Sequence, residues 1–250
     1  MTGILYLIPT LLSPPDASSV VQLAASVPLE VQKLTASLDY FIAENAKTAR
    51  AYLKLIAQIF PLCTPLQQIL IHELNVNSPP ARLPELLAPL HAGRHAGLIS
   101  EAGVPAVADP GADLVRLAHQ QAIAVRPMVG PSSLLLAVMA SGLNGQSFAF
   151  NGYLPVDAVQ RIKRIKALEE RSRHEQQTQL FIETPYRNLS LLEALLASCH
   201  PATLLCAAID LTTPAEQICT RTVAQWKSAL GTERMPELHK KPTVFLLLAQ

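Results

Sequence analysis

Two turn-rich segments follow one another near the middle of the chain, and both have the same order of parts. They occupy residues 97–111 and 125–133. In each, an apolar run typical of a strand leads into a Gly/Pro/Ser turn, after which a helix-like pattern begins. Open α/β sheets bind small ligands at strand-to-helix turns of this kind. The two segments therefore predict two walls of one ligand cleft.

Strand-like and helix-like runs alternate as far as Gly142, which predicts a parallel sheet with right-handed crossovers. The helix predicted over residues 132–142 is nearly all apolar, so we expect it to be buried on every side, with Gly142 as its C-terminal cap. The other helices are predicted over residues 18–25, 44–60, 84–92 and 112–121, and the strands over 4–8, 38–43, 68–74, 97–100 and 122–127.

After Gly142 strands outnumber helices, which predicts a mixed α+β half with antiparallel pairing. We therefore expect an α/β protein of two domains, an N-terminal domain over residues 1–112 and a C-terminal domain over residues 113–250. The strands of the second half are predicted over 147–151, 179–183, 203–209, 217–221 and 243–248, and its helices over 158–173, 187–198 and 222–230.

Composition limits the classes of partner. Half of the residues are hydrophobic and 16% are charged, which argues against disorder, and the net charge is +1. A nucleic-acid substrate would therefore need a local basic patch. The four cysteines form no C-x-x-C pair, which favours reduced thiols. Because no apolar run reaches the ~18 residues of a membrane helix, we expect a soluble, cytoplasmic protein.

Glu44, Lys47 and Arg50 open the helix predicted after the second strand. Their spacing of three predicts that they share a helix face. They form either a solvated charged face or a polar cluster at the carboxyl edge of the sheet, the usual place for sites in such folds. His72 ends the third predicted strand and is either a substrate contact or a polar strand end.

Residues 161–175 carry six Arg or Lys and three Glu. This segment is either a solvated amphipathic helix or, through the cations of its first half, a phosphate contact. Residues 130–133 open a helix whose N-terminus suits either a plain cap or a carboxylate or phosphate. No G-x-G-x-x-G or P-loop pattern occurs, which argues against a dinucleotide-binding Rossmann site.

Six segments, in order, resemble the tetrapyrrole methylase family, the class III methyltransferases that use S-adenosylmethionine. Within it the chain is most similar to the branch of the bacterial 16S rRNA cytidine 2′-O-methyltransferase. Residues 11–15 lack that branch's glycine and Leu74 replaces a second His, so the resemblance is that of a divergent paralogue. The six segments are residues 5–10, 42–47, 100–111, 130–133, 151–155 and 181–187.

The resemblance implies two α/β domains with the S-adenosylmethionine cleft between them, a homodimer and no metal. A ribose hydroxyl as methyl acceptor would need a nearby base, or a cation that stabilises the developing oxyanion. The candidates are Glu44 as base or orienting acid, Lys47 and Arg50 as phosphate or oxyanion contacts, and His72. By position, the cofactor contacts would be Pro9, Gly103, Val104, Pro105, Val107, Ser132, Ser133, Ile182, Glu183, Ala208 and Pro242.

The function that the resemblance implies is methylation of RNA, such as a ribose 2′-O of ribosomal RNA, with RNA or a ribosomal subunit as the partner and no membrane. Two alternatives stay open. One is a methylase of a small molecule such as a tetrapyrrole precursor. The other is a paralogue that binds S-adenosylmethionine and has lost catalysis, which the altered loop at residues 11–15 favours.

Overall fold

The structure is a computed structural model, and it describes residues 2–13 and 19–250. The chain forms two compact units, Met1–Ser132 and Ser133–Gln250. Three residues of the predictions above, Pro14, Pro15 and Ser18, lie outside the described residues.

The first unit contains a five-stranded parallel sheet in the order β3-β2-β4-β1-β5. This confirms the predicted parallel sheet. Its elements are β1 (Ile4–Ile8), α1 (Ser19–Ser26), α2 (Leu29–Ala36), β2 (Tyr40–Ala43), α3 (Ala46–Ile56), β3 (Leu70–Glu73), α4 (Leu83–His91), β4 (Ala96–Ile99), α5 (Gly111–Gln120) and β5 (Ala124–Pro127).

Strand β2 is buried on both faces, because helices cover the sheet on each side. Phe41 packs in a cluster with residues of α1, α2 and α3, whereas Tyr40 and Ile42 pack with α4 and α5. This is why the strand is a continuous apolar run without alternation. Helix α2 was not predicted from the sequence. The buried Gln32 interrupts its apolar face and donates from Nε2 to the Val27 carbonyl at 2.7 Å.

The two units divide after Ser132, whereas the sequence predicted a boundary at residue 112. The observed boundary lies later than the predicted one because of how β5 pairs. That strand pairs in parallel with β1, with Ile4 opposite Ala124, and so α5 and β5 belong to the first sheet.

The second unit contains a mixed sheet in the order β6-β7-β10-β8-β9. Strands β6 and β7 are parallel, and the other pairs are antiparallel, as predicted. The β6–β7 register shifts between Phe150 and Tyr153. The elements are α6 (Ser133–Ser141), β6 (Phe148–Tyr153), α7 (Ala158–Glu175), β7 (Thr178–Ile182), α8 (Asn188–Ser198), β8 (Leu204–Ile209), β9 (Gln217–Thr222), α9 (Val223–Ala229) and β10 (Thr243–Leu248).

Aromatic side chains fill the core of the second unit. Phe181 and Phe245 stack across the β7–β10 pair with ring centroids 6.2 Å apart. The buried Trp226 of α9 donates from its indole nitrogen to the Leu205 carbonyl at 2.8 Å, so that its polar atom is satisfied inside the core.

The prediction that α6 is buried on every side is wrong. Only Ala137 and Ser141 of this helix are buried, and Leu135 and Met139 are 53% and 79% exposed. Apolar composition predicted burial, but the helix packs on the sheet along one stripe only. Gly142 follows it with a φ of +70°, which suits the predicted C-terminal cap. Within the described ranges, every helix is too short or too polar to cross a bilayer.

Gly97 in β4 tests how tightly the first core is packed. A Cβ atom there would lie 2.7 Å from the ring of the fully buried Phe41. We expect Gly97→Ala to lower the free energy of unfolding by about 1–3 kcal/mol through overpacking, measured by urea denaturation. Gly145→Ala is the matched control, because its Cβ would meet Val138 at an ordinary 3.6 Å. If the two variants were equally stable, the close packing of Gly97 against the Phe41 ring would be contradicted.

Candidate functional site

The loops that leave the carboxyl ends of the first sheet meet at one edge, because all five strands are parallel. The loops after β1 and β4 are joined by reciprocal backbone hydrogen bonds. Thr10 N donates to the Gly103 carbonyl at 2.9 Å, and Gly103 N donates to the Leu11 carbonyl at 3.3 Å. The loop after β5 also comes close, since a Cβ atom on Gly130 would lie 2.3 Å from Pro9. The structure thus brings Pro9 and Gly103 together.

Gly103 is required by this junction. Its φ is +70°, and a Cβ atom would lie 2.9 Å from Leu12 Cδ2 and 3.1 Å from the Pro131 carbonyl oxygen. A side chain would therefore be strained and would also separate the loops. The absence of a side chain lets the two loops approach closely enough for both backbone hydrogen bonds of Gly103 to form.

The segment that contains Val104, Pro105 and Val107 is a turn held by Asp109. The Asp109 carboxylate accepts hydrogen bonds from Ala106 N at 2.9 Å and from Gly111 N at 2.7 Å. Burial raises the pKa of Asp109 above its usual value. Ala106 and Ala108 both have positive φ, at 66° and 63°. Such strained positions cluster at ligand-binding sites.

Glu44, Asn45 and Glu101 form a linked polar cluster at the same edge. The Asn45 side chain caps α3 by accepting from Lys47 N at 2.9 Å, and its amide nitrogen donates to Glu101 Oε1 at 3.1 Å. Glu101 N in turn donates to Glu44 Oε2 at 3.0 Å. Of the residues predicted to form a polar cluster, Glu44 takes part in this network, together with Asn45 and Glu101, whereas the side chains of Lys47 and Arg50 do not.

The pKa of Glu44 is raised above its usual value, chiefly by burial. The hydrogen bond from Glu101 N lowers the pKa of Glu44, whereas the negative charges of Glu101 and Asp109 raise it further. A raised pKa makes the Glu44 carboxylate a better proton acceptor than an ordinary glutamate, which suits a base.

The other predicted catalytic residues are less closely grouped. Helix α3 begins at Ala46, so the prediction that Glu44 shares a helix face with Lys47 and Arg50 is wrong. Asn45 takes the cap position, which leaves Glu44 before the helix. Lys47 and Arg50 are exposed on α3. His72 lies edge-on to the ring of Tyr40 at 5.6 Å, on the side of the sheet covered by α4.

A cavity of about 240 Å³ opens beside this cluster, between the loops and α3. This volume is below the ~300–1,000 Å³ typical of pockets for whole small molecules, so it suits one part of a ligand, such as a base or a ribose. The cavity is lined by Thr10, Leu11, Leu12, Ser13, Thr48, Tyr52, Ile99, Ser100, Glu101 and Ala102.

Sequence reasoning missed three residues that organise this site: Glu101, Asp109 and Tyr52. The first two lie inside a motif that the sequence analysis singled out, and their place after β4 was the available signal. Tyr52 gave no signal, because it lies at an ordinary core position of α3. Its buried hydroxyl donates to the Pro9 carbonyl at 2.9 Å, and burial raises its pKa.

In the second unit, four predicted cofactor residues converge on one edge of the mixed sheet. Ile182 of β7 and Ala208 of β8 both pair with Val244 of β10. Asp210 N, just beyond β8, donates to the Pro242 carbonyl at 3.0 Å. Glu183 follows Ile182 directly, so Ile182, Glu183, Ala208 and Pro242 share this edge. Ser132 ends the first unit, and Ser133 begins α6 in the second.

Glu183 is buried and only half satisfied. Its Oε1 atom accepts from Arg187 at 2.5 Å and from Thr184 N at 2.7 Å. Its Oε2 atom is also buried and has no hydrogen-bond partner among the described residues. A buried carboxylate oxygen without a donor is costly, so Glu183 Oε2 is an acceptor whose hydrogen-bonding capacity is unused.

Comparisons with known proteins were made by sequence and by structure. The ribosomal RNA small subunit methyltransferase I of Streptococcus pyogenes is 35% identical over 196 residues, 78% of this chain and 61% of that protein. The chain thus spans less than two thirds of the length of that relative. The protein of the same name from a Synechocystis strain is 32% identical over 235 residues, 94% of this chain and 76% of that protein. No protein-family model matches the chain.

Solved structures show the same fold. The methyltransferase CobJ matches with a TM-score of 0.60 at 18% identity, covering 100% of this chain and 95% of that one. A uroporphyrin-III C-methyltransferase from Thermus thermophilus matches with a TM-score of 0.54 at 18% identity, covering 99% and 93%. The predicted fold of two α/β domains of the tetrapyrrole methylase type is confirmed.

The raised pKa of Glu44 predicts how stability depends on pH. Between its ordinary value of 4.5 and the raised value, the folded state binds more protons than the unfolded state, so the stability that Glu44 contributes falls as pH rises. We expect Glu44→Gln to stabilise the chain more at about pH 7 than at about pH 4, measured by urea denaturation. The exposed Glu85 offers a control, Glu85→Gln. If the difference in free energy of unfolding between Glu44→Gln and the unaltered chain did not change with pH, the raised pKa of Glu44 would be contradicted.

Proposed function

The chain belongs to the family of ribosomal RNA small subunit methyltransferase I, and from that premise we propose that it transfers a methyl group from S-adenosylmethionine to RNA. The observation that carries this proposal is the relative that is 32% identical over 94% of the chain. The acceptor we propose is a ribose 2′-hydroxyl of ribosomal RNA, which the resemblance of the six motifs supports. Ribosomal RNA as the substrate implies a cytoplasmic protein.

The residues at the two sheet edges fit the cofactor. The unpartnered Glu183 Oε2 is an acceptor for hydroxyl or amine donors, which S-adenosylmethionine carries. The turn held by Asp109 contains the exposed residues Val107 and Ala108, and main-chain groups of such a turn can read an adenine edge. When bound, the sulfonium supplies an activated methyl group. The residues that we propose to hold it are Pro9, Gly103, Val104, Pro105, Val107, Ser132, Ser133, Ile182, Glu183, Ala208 and Pro242.

The polar cluster of the first unit suits the acceptor. We assign Glu44 as the base that takes or orients the hydroxyl proton, because its raised pKa favours proton binding. Lys47 and Arg50 are exposed on α3, where they can contact a phosphate or stabilise a developing oxyanion. His72 is the fourth candidate, for a contact from the edge strand β3. The cavity lined by Thr10 and Glu101 would hold the base or ribose.

Two other functions remain as alternatives to RNA methylation. The first alternative is a small-molecule methylase. Its support is the fold shared with CobJ and the uroporphyrin-III C-methyltransferase, and at 18% identity these structures support the fold alone. A paralogue that binds S-adenosylmethionine without catalysis is favoured by the loop at residues 11–15, which lacks glycine. Methylation assays separate both from the leading proposal.

We also propose that the protein is a homodimer. The support is the exposed apolar face of α6, where Leu135 and Met139 lie four residues apart on one side of the helix. Sedimentation velocity tests this proposal directly. A chain that stays monomeric at micromolar concentration would contradict it.

Calorimetric titration with S-adenosylmethionine and S-adenosylhomocysteine is the first test of the proposed function. We expect both to bind, because Glu183 Oε2 is an acceptor without a donor and the Asp109 turn contains the exposed residues Val107 and Ala108. Labelled-methyl transfer to deproteinised RNA and to small ribosomal subunits then tests the substrate. Binding without transfer to any RNA would favour the silent paralogue, and the absence of binding would contradict the cofactor assignment.

The catalytic assignment is tested by Glu44→Gln. Loss of a positioned base is expected to lower the rate of methyl transfer by roughly 100-fold or more, while S-adenosylmethionine still binds. Lys47→Ala should instead raise the apparent KM for RNA. Glu30→Gln is the matched control, since Glu30 lies on α2 in an exposed pair with Lys33. Unchanged turnover of Glu44→Gln would show that this carboxylate is not the base.

A further inference from the structure

Charge is unevenly distributed along α7. Its first half carries four cations and no acid, whereas its three glutamates all lie in the second half. Asp157 precedes the helix and is occupied as its cap, accepting from Gln160 N at 2.9 Å. In a chain with a net charge of +1, the first half of α7 is therefore the local basic patch that a nucleic-acid partner would need. The four cations are Arg161, Lys163, Arg164 and Lys166.

Helix stability does not explain these cations. The partial positive charge at a helix N-terminus favours acidic residues in the first turn, and α7 has none there. In the second half, Arg171 pairs with Glu175 at 3.1 Å. Lys163 and Lys166, by contrast, are exposed, and no residue within 2–13 or 19–250 forms an ion pair with either. Since they lie three residues apart, they share one face of the helix.

The two arginines are positioned by neutral partners. Arg164 donates from its guanidinium to Asn151 Oδ1 at 3.0 Å, next to β6. Arg161 donates to Ser190 Oγ at 3.3 Å, on α8, and to the Val156 carbonyl at 3.4 Å. Neutral acceptors orient the guanidinium groups without cancelling their charge. Both groups therefore stay available to an anion in a fixed geometry.

Two exposed aromatic rings lie at one edge of the mixed sheet in the same unit. Tyr153 ends β6 and is 58% exposed, and Tyr186 follows β7 and is 74% exposed. Because β6 and β7 are parallel neighbours, their carboxyl ends lie at the same edge of the sheet. Lys240 Nζ lies 6.0 Å from the centroid of the Tyr186 ring. Exposed aromatic rings among unpaired cations are the usual means of binding single-stranded RNA, in which bases stack on rings and cations contact phosphates.

We propose that this surface, which we call the α7 surface, binds single-stranded RNA, with phosphates on the cations and a base stacked on Tyr186. The inference rests on the proposed function, since it supplies a second contact for the same substrate. Tyr186 lies three residues after Glu183, so RNA on the α7 surface would run toward the proposed cofactor edge. The α7 surface consists of Tyr153, Arg161, Lys163, Arg164, Lys166 and Tyr186.

A second copy of the chain is the competing occupant, because Val159 and Ile162 are also exposed on α7. Charge argues against it. A symmetric dimer whose two-fold axis passes through the four cations would place like charges face to face, where they repel. RNA supplies the opposite charge.

The experiment measures binding separately from catalysis. A fluorescein-labelled single-stranded RNA of about 12 nucleotides is titrated with the full chain at several salt concentrations, without S-adenosylmethionine. For Lys163→Gln/Lys166→Gln we expect weaker binding and a salt slope shallower by about 1.4, since each phosphate contact to a single strand contributes about 0.7. Arg171→Gln/Arg173→Gln is the matched control, because it removes two charges from the same helix. Its slope should equal that of the unaltered chain.

A second pair of variants tests the aromatic contact. Tyr186→Leu should weaken binding by roughly 5- to 100-fold, whereas Tyr186→Phe keeps the ring and should bind like the unaltered chain. The affinity for a duplex of equal length should be the same for Tyr186→Leu and the unaltered chain. If Leu and Phe behave alike, the stacking contact is overturned.

The outcomes separate this inference from the proposed function. RNA binding that depends on Lys163 and Lys166, without any methyl transfer, would support the α7 surface and contradict the enzyme. Methyl transfer to RNA with equal slopes for both double variants would support the enzyme and overturn the α7 surface. A change in sedimentation coefficient on substitution of Lys163 and Lys166, with RNA binding unchanged, would assign the surface to a second copy and likewise overturn it.

Discussion

The candidate site depends on the junction between the loops after β1 and β4. Two backbone hydrogen bonds, between Thr10 and Gly103 and between Gly103 and Leu11, fix these loops to each other. The junction needs a residue with positive φ and no side chain, which Gly103 supplies. The Tyr52 hydroxyl also donates to the Pro9 carbonyl and so fixes the loop after β1 to α3. Once it forms, the cavity and the cluster around Glu44 have fixed walls. The arrangement of the polar groups thus follows from backbone geometry.

Four carboxylates lie at one sheet edge, Glu44, Glu73, Glu101 and Asp109, which has an electrostatic cost, and backbone donors offset it at three of them. Glu44 accepts from Glu101 N, Asp109 accepts from two turn amides, and Glu73 accepts from Ala46 N at 2.9 Å. These donors stabilise the charged forms, while burial favours the neutral forms of Glu44 and Asp109. Burial is the larger effect at both residues, so the pKa of each is raised and each binds a proton more readily than an ordinary carboxylate. Lys47 and Arg50 are exposed to solvent.

Much of the fold could be predicted from the sequence, because apolar runs and turn residues mark most elements. All ten strands were predicted, since most are short apolar runs bounded by Gly, Pro or polar residues, although β9 is largely polar. Helix α2 was missed because Gln32 breaks its apolar stripe while making a buried hydrogen bond that no pattern reveals. The domain boundary was placed too early, since only the pairing of β5 with β1 decides to which unit β5 belongs.

The site was predicted in part. Motif order located the loops of the first edge, but the partner of Glu44 depends on the distance between loops after β2 and β4, which are not adjacent in sequence. The exposure of Met139 likewise could not be read from the apolar composition of α6, because composition does not say how much of a helix is covered. Long-range pairing and partial coverage are properties of the folded chain.

The register shift in β6 has a consequence for how this protein avoids aggregation. Strand β6 is at the margin of the mixed sheet, where an unpaired ladder could recruit a strand from another molecule. Between Phe150 and Tyr153 the ladder is interrupted, and Gly152 has a φ of +64°. The Asn151 side chain donates to the Ala149 carbonyl at 3.1 Å. An incoming strand would find the row of donors and acceptors out of phase, so fibril-like growth from this side is discouraged.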